Sequence, residues 1–341
     1  MLPFPFGWRR RVARSLEQGR WSSAPATRLG ELWALVADPV RPVCLPATGR
    51  VVAIGGATLG GSYKTPLVIE LARALVGRVG VAVVASGYAA RLGGPMLGGP
   101  LFGGPLSVGR DSLARLVGDE AALIGRTLGP LGVPVVVGRR RADAIRAVAA
   151  DGTLVLVDGL LQARPRRVHR SLLVLDAAQP WGAGLCPPVG DLRAERHRLL
   201  EAADAVVLVG GKTTPPGLDS AAMPIFHLPS EVRGARAADG TAVGLGALRG
   251  ARLGLWLAVA RPDRILRSLR TVGVRPRVVS LEADHAHPAR PSRLETDRVD
   301  AWLTSAKCAT KLGPSLGRAP VWVIDHRLGI DPALVDFVAG P

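Results

Sequence analysis

The chain has 341 residues, 48% of them apolar and 21% charged, with a formal net charge of +17. Its length and apolar content exclude wholesale disorder and allow two domains with separate cores. Aromatics at 4% argue against a base-stacking surface for single-stranded nucleic acid, and the distant Cys44, Cys186 and Cys308 argue against a disulfide framework or zinc site.

A reducing cytoplasm is the expected compartment. The basic balance comes from 40 arginines against four lysines (Lys64, Lys212, Lys307, Lys311), spread along the whole chain. That distribution reads as a coding bias, so no nucleic-acid partner is expected. An anionic membrane leaflet or a phosphorylated lipid fits the charge equally well. No secretory signal is visible at the start, and no apolar run approaches the roughly 18 residues of a membrane span.

Residues 1–48 read as an appendage. Arg9, Arg10, Arg11 and Arg14 lie among Phe4, Phe6, Trp8 and Trp21, and Leu29, Leu32, Trp33 and Val36 share one helical face. Such a helix suits a lipid headgroup region; packing on the neighbouring domain is the alternative.

From residue 49 to 205 the pattern is strand, loop and helix repeated. Apolar runs at Val51–Ile54, Val81–Ala85, Val135–Val137, Leu154–Val157 and Leu172–Leu175 alternate with helical stretches such as Pro66–Leu75 and Arg141–Ala150. Continuous apolar strands of this kind imply an α/β fold, a parallel sheet with helices on both faces. The glycine- and proline-rich stretch Gly87–Pro105 reads as a substrate-facing flap or a tolerated insertion. Residues 206–341 read as a second, smaller α/β lobe with strands at Ala205–Val209, Ile225–Leu228, Leu253–Val259, Val278–Leu281 and Val321–Ile324. Asp239-Gly240 marks a β-hairpin joining the two lobes.

The chemistry concentrates in the first lobe. After Val51–Ile54 comes Gly55-Gly-Ala-Thr58-Leu-Gly60-Gly61-Ser62-Tyr63-Lys64-Thr65-Pro66, the layout of a P-loop nucleotide site. Backbone N–H groups from Thr58 to Thr65 would face the phosphates, Lys64 would add a point charge, and Thr65 would offer a hydroxyl to Mg²⁺. Tyr63 stands where such loops carry glycine. If the position needs positive φ, a side chain there costs about 1–2 kcal/mol, and the ring is expected close to the phosphates. Leu154-Val-Leu-Val-Asp158 is an apolar strand ending in a carboxylate, the usual place for a second metal-binding group.

These motifs, with those that follow, resemble the tetraacyldisaccharide 4'-kinase family, the lipid A 4'-kinases. The family loop T-x-G-G-x-G-K-T-P is matched from Thr58 to Pro66 except at Tyr63. S-R-G-Y appears as Ala85-Ser86-Gly87-Tyr88, G-D-E as Gly118-Asp119-Glu120, and the arginine that opens a helix as Arg141. D-D-G-F-Q-H appears as Val157-Asp158-Gly159-Leu160-Leu161-Gln162-Ala163, without the first acid or the histidine. L-P-x-G-P-L-R-E is echoed through Pro188, Gly190, Leu192 and Arg193. In the second lobe the Asp-His pair is Asp284-His285, and T-E-K-D is Ser305-Ala306-Lys307-Cys308, without its acids. The similarity runs in order from about residue 50 to 325.

The resemblance implies ATP-dependent phosphorylation of the 4'-hydroxyl of a tetraacylated glucosamine disaccharide 1-phosphate. Lys64 would bridge phosphates, and Thr65, Asp158 and Glu120 would serve Mg²⁺. Asp119 with His285 would accept the hydroxyl proton, and Tyr88, Arg141, Gln162 and Arg193 would contact substrate. A monomer peripheral to the cytoplasmic face of the inner membrane is implied. The departures at Tyr63, Val157, Ala163 and Cys308 leave room for a non-catalytic lipid-binding or regulatory relative, and a different P-loop ATPase is a further alternative.

Overall fold

A computed structural model of the chain describes residues 12, 14–20, 43–46, 48–87, 104–161, 163–164, 168–216, 218, 223–286 and 298–340. The expected helix around 29–36, most of the 87–105 flap, Tyr88 and Gln162 lie outside the described residues. The chain divides into two compact units: one comprises Leu16–Pro229 with Leu328–Pro341, and the other contains Ser230–Arg327.

The first unit is built on eight strands: β1 (Arg50–Gly56), β2 (Gly80–Val84), β3 (Leu106–Ser107), β4 (Val135–Val137), β5 (Thr153–Asp158), β6 (Arg170–Asp176), β7 (Ala205–Val209) and β8 (Ile225–Leu228). Their order is β8-β7-β6-β1-β5-β2-β4-β3. The paired strands run parallel throughout, except that the short edge strand β3 runs against β4.

The sequence period explains the two faces. Val52, Ile54, Leu154, Leu156, Leu172, Val174 and Val207 share one core, while Val51, Ala53, Val155 and Val157 belong to a second on the opposite face. Side chains alternate across a strand, so each continuous apolar run fills a core on either face of the sheet, Leu173 and Leu175 entering a third cluster with Val206 and Leu208. On the first face pack α1 (Lys64–Leu75) and α2 (Asp119–Leu128), through Leu67, Leu71 and Leu75 and through Ala121, Ile124 and Leu128. The other core takes Ala144 and Ile145 of α3 (Arg141–Val148).

Two segments expected in the second lobe belong to this unit. Strands β7 and β8 extend the first sheet, and the chain returns after Leu328 to place α4 (Pro332–Ala339) against it. Leu334, Val335 and Val338 enter the same core as α1. The Arg50 guanidinium donates to the Ala339 and Gly340 carbonyls at 2.9 and 3.0 Å, and Arg170 Nε donates to Phe337 O at 3.2 Å. Arginines thus satisfy the carbonyls that the end of α4 leaves open and complement its dipole.

The second unit holds β9 (Ser230–Arg236), β10 (Ala242–Gly244), β11 (Leu253–Leu257), β12 (Val278–Leu281), β13 (Ala301–Thr304) and β14 (Ala319–Leu328), ordered β10-β9-β14-β13-β11-β12. The hairpin at Asp239-Gly240 forms, but it does not join the two lobes as expected: it lies within this unit, linking β9 to β10, with Gly240 at φ 89° and Asp239 Oδ1 accepting from Thr241 N at 2.9 Å.

Because Leu334 is fully buried in the core beneath the first sheet, Leu334→Ala is expected to destabilise that unit by about 2–5 kcal/mol. Urea unfolding followed by circular dichroism measures this; an unchanged midpoint would mean that α4 is not part of the folded core.

Candidate active site

Strand β1 delivers the loop. Its last residue, Gly56, has no room for a side chain: a Cβ there would lie 2.0 Å from Ser62 Oγ and 3.2 Å from Lys64 Nζ. The glycine therefore lets the loop fold back over the strand end. Lys64 Nζ donates to Ser62 Oγ at 2.9 Å, and Thr58 Oγ1 donates to Gly60 O at 2.7 Å. Gly61 stands at φ 73°.

Tyr63 also occupies the left-handed region, at φ 61° and ψ 12°, immediately before α1. This meets the expectation that the position needs positive φ. The expected crowding of the phosphates by its ring is corrected. Tyr63 is only 6% exposed and packs in the core shared by β1 and α1, with Val52, Leu67 and Val117 among that core's members. A left-handed conformation costs about 1–2 kcal/mol, and burial of a large side chain returns about 1.5–3 kcal/mol. The two effects are of similar size, so the departure from glycine is sustainable.

Thr65 Oγ1, in the first turn of α1, donates to Asp158 Oδ2 at 3.0 Å. Asp158 ends β5, whose register sets it beside Ile54 of β1. It is 1% exposed. Burial drives its carboxyl up to about 6, and the negative charge of Glu120 adds to the rise; Lys64, the Thr65 bond and Arg141 oppose it. Glu120 stands in the first turn of α2 beside Asp119, itself 3% exposed, after Gly118 at φ 91°.

Two arginines complete the group. Arg141, at the start of α3, has its guanidinium 3.4 Å from the Asp158 carbonyl, and Gly159 at φ 81° leaves it space. Burial lowers its pKa, while Asp158 and Glu120 act to raise it. Arg193 arrives by a route that the sequence does not announce. Segment 191–193 runs antiparallel to 57–59: Thr58 bridges Leu192, Leu59 N donates to Asp191 O at 2.9 Å, and Arg193 N donates to Ala57 O at 2.7 Å. Burial lowers the Arg193 pKa first, then repulsion from Arg141.

Lys64, Thr65, Glu120, Arg141, Asp158 and Arg193 are thereby brought together from separate stretches of the chain. Asp158 Oδ1, Arg141 Nε and Arg193 Nε are buried without hydrogen-bond partners. Such groups carry a large desolvation cost when nothing answers them. Their pattern, an oxygen for a hard cation and guanidinium nitrogens for anionic oxygens, fits a magnesium–phosphate ligand. Among the described residues no group of three His, Cys, Asp or Glu side chains could hold a metal. Mg²⁺ commonly takes one or two protein ligands and completes its shell with phosphate and water.

His285 lies in the second unit at φ 62°. Asp284 Oδ1 accepts from His285 N at 3.0 Å and from Lys307 Nζ at 3.0 Å, and Asp284 Oδ2 stands 3.4 Å from His285 Nε2. The Lys307 contact escaped the reading of the sequence. Its signal was a lysine retained in an arginine-rich chain. Asp191, which anchors the loop through its backbone while Oδ1 accepts from Ala183 N at 2.9 Å, had no such signal.

Residues 40–340 match the family model described as Tetraacyldisaccharide-1-P 4'-kinase. The tetraacyldisaccharide 4'-kinase of Chromobacterium violaceum is 32% identical over 340 residues, covering 93% of each chain. That of Methylobacterium sp. (strain 4-46) is 35% identical over 295 residues, 84% of this chain and 82% of the relative. The crystal structure of LpxK from Aquifex aeolicus in complex with ATP is similar in fold, with a TM-score of 0.62 at 19% identity, over 97% of this chain and 98% of that one. The chain belongs to the tetraacyldisaccharide-1-P 4'-kinase family.

Proposed function

We propose that the protein transfers the γ-phosphoryl group of ATP to the 4'-hydroxyl of a tetraacylated glucosamine disaccharide 1-phosphate, a step of lipid A biosynthesis. The observation that carries this reading is the Thr65–Asp158 bond, with Asp158 Oδ1 left open beside Lys64 under the glycine loop. Family membership favours this reading over a non-catalytic relative or another P-loop ATPase.

Mg²⁺–ATP supplies the phosphoryl group and the charge-neutralising cation. The backbone from Thr58 to Thr65 with Lys64 would hold the phosphates, and Thr65, Asp158 and Glu120 would serve the metal. Arg141 and Arg193 bind anionic oxygens of nucleotide or lipid; their unpartnered Nε atoms support the assignment. Phosphoryl transfer depends on such positioning and neutralisation. Asp119 and His285 accept the hydroxyl proton, an assignment supported by motif order. Tyr88 and Gln162 are assigned to the substrate on the same ground.

Transfer of label from γ-labelled ATP to the disaccharide lipid tests the reaction. Lys64→Ala is expected to abolish it, and Asp119→Asn or His285→Ala to lower kcat by about 10²–10⁴-fold. ATP hydrolysis without lipid phosphorylation would refute the assignment.

Asp158 gives a pH test. The folded carboxyl titrates at about 6 and the unfolded one near 3.8. The folded state therefore holds its proton more tightly. That stabilisation is fully present below about pH 4 and lost as pH rises through about 6. Asp158→Asn should stabilise the protein at pH 7.5, by at most about 3 kcal/mol, while removing Mg²⁺–ATP binding. The gain should vanish towards pH 4. Urea melts at both pH values decide; a variant less stable at pH 7.5 contradicts the electrostatic account.

We also propose peripheral attachment to the anionic inner membrane at its cytoplasmic face, as a monomer. Supporting this are the Trp8, Trp21 and arginine composition of the N-terminal segment and the lipid chemistry of the acceptor. Among the described residues no helix is long and apolar enough to cross a membrane. Deleting residues 1–40 should release the protein from anionic liposomes in a flotation assay; undiminished retention would defeat the proposal.

A further inference from the structure

Tyr63 stands where the family loop carries glycine, and no step assigned above uses its side chain. Resting on the kinase reading, we propose that Tyr63 is a positioning residue of the phosphate site, whose buried ring holds the loop in its left-handed, nucleotide-ready conformation before nucleotide arrives.

The left-handed backbone at φ 61° and ψ 12° is combined with a ring 6% exposed in the core under α1. The Tyr63 carbonyl accepts from Leu67 N at 3.0 Å, so the same residue closes the first turn of the helix. On one side of it Ser62, 4% exposed, holds Lys64 Nζ at 2.9 Å, and Gly56 leaves no slack beneath Ser62. Rotation of the peptides around Tyr63 would therefore displace Ser62 and Lys64 together.

A glycine at this position visits positive and negative φ about equally. A side chain without an anchor would leave the left-handed region. A ring fixed in the core removes the other conformers and keeps the left-handed one. The surroundings thus over-determine a conformation that the residue alone disfavours, as happens at functional sites. The ordering of the loop is met when the protein folds rather than when nucleotide binds, which favours affinity without new contacts.

Three variants separate the ring from the β-carbon. Tyr63→Phe keeps both, Tyr63→Ala keeps the β-carbon alone, and Tyr63→Gly loses both while removing the left-handed penalty. Amide hydrogen exchange over residues 57–65 in nucleotide-free protein and calorimetric titration with Mg²⁺–ATP are the measurements. Tyr63→Phe should match the parent. Tyr63→Gly should exchange faster and bind Mg²⁺–ATP about tenfold more weakly. Tyr63→Ala should bind more weakly still. Unchanged exchange with equal or tighter binding in Tyr63→Gly would overturn the proposal and leave the ring as core packing only. If Tyr63→Ala fails to fold, the Phe and Gly pair decides. Absence of binding heat in the parent protein would sink the kinase reading instead, while exchange in nucleotide-free protein would still test the ring.

Discussion

The site depends on one buried carboxylate. Asp158 ends the strand beside the nucleotide loop, 1% exposed, and the Thr65 hydroxyl, Lys64 and Arg141 together do not cancel the effect of its burial. A group of this kind is unfavourable to the fold on its own and is retained when a ligand answers it. The neighbouring glycines follow from the same requirement. Gly56 admits Ser62 and Lys64 over the strand end, and Gly159 admits the Arg141 guanidinium. A methyl group at either place would move a charged side chain that Asp158 feels.

Much of this was legible from residues alone, for a physical reason. The five strands expected from Val51 to Leu175 are continuous apolar runs, and both faces of a parallel sheet must be apolar. Asp158 stood out because a carboxylate directly follows such a run. The glycine spacing ahead of Lys64 admits few backbone paths, and it folds as those spacings suggest. What stayed hidden was long-range pairing. Ala205–Val209 reads as a strand in any sheet, and only its register against Leu172–Asp176 assigns it to the first unit. The return of α4 depends on Arg50 and Arg170 meeting carbonyls nearly 170 residues away or farther. The 191–193 ladder is equally non-local, which is why Arg193 was recognised by motif and not by placement.

Tyr63 shows where local rules mislead. Read as a sequence, an aromatic in a glycine loop suggests obstruction, because side-chain direction is not encoded in spacing. At left-handed φ the Cβ vector differs from that of a right-handed residue, and here it sends the ring into the core beside α1. The same backbone angle that makes the residue unfavourable also directs it away from the loop. Conformation and burial are therefore one effect, and neither could be judged without the other.

The losses in the second unit follow a related logic. Cys308 replaces an acid of the family motif, yet its sulfur lies 3.3 Å from Ala258 N in a fully buried position. An unpaired carboxylate there would carry a desolvation cost that a thiol avoids. Lys307, by contrast, keeps the family's residue type and reaches Asp284 Oδ1 at 3.0 Å, much as Lys64 reaches Ser62 Oγ at 2.9 Å. Both lysines present a compact point charge to an oxygen. A planar guanidinium would need room for a second acceptor and would spread its charge. In a chain with 40 arginines and four lysines, that difference gives a physical reason why these two positions resist the prevailing bias, and it marks point-charge geometry as the property preserved at each.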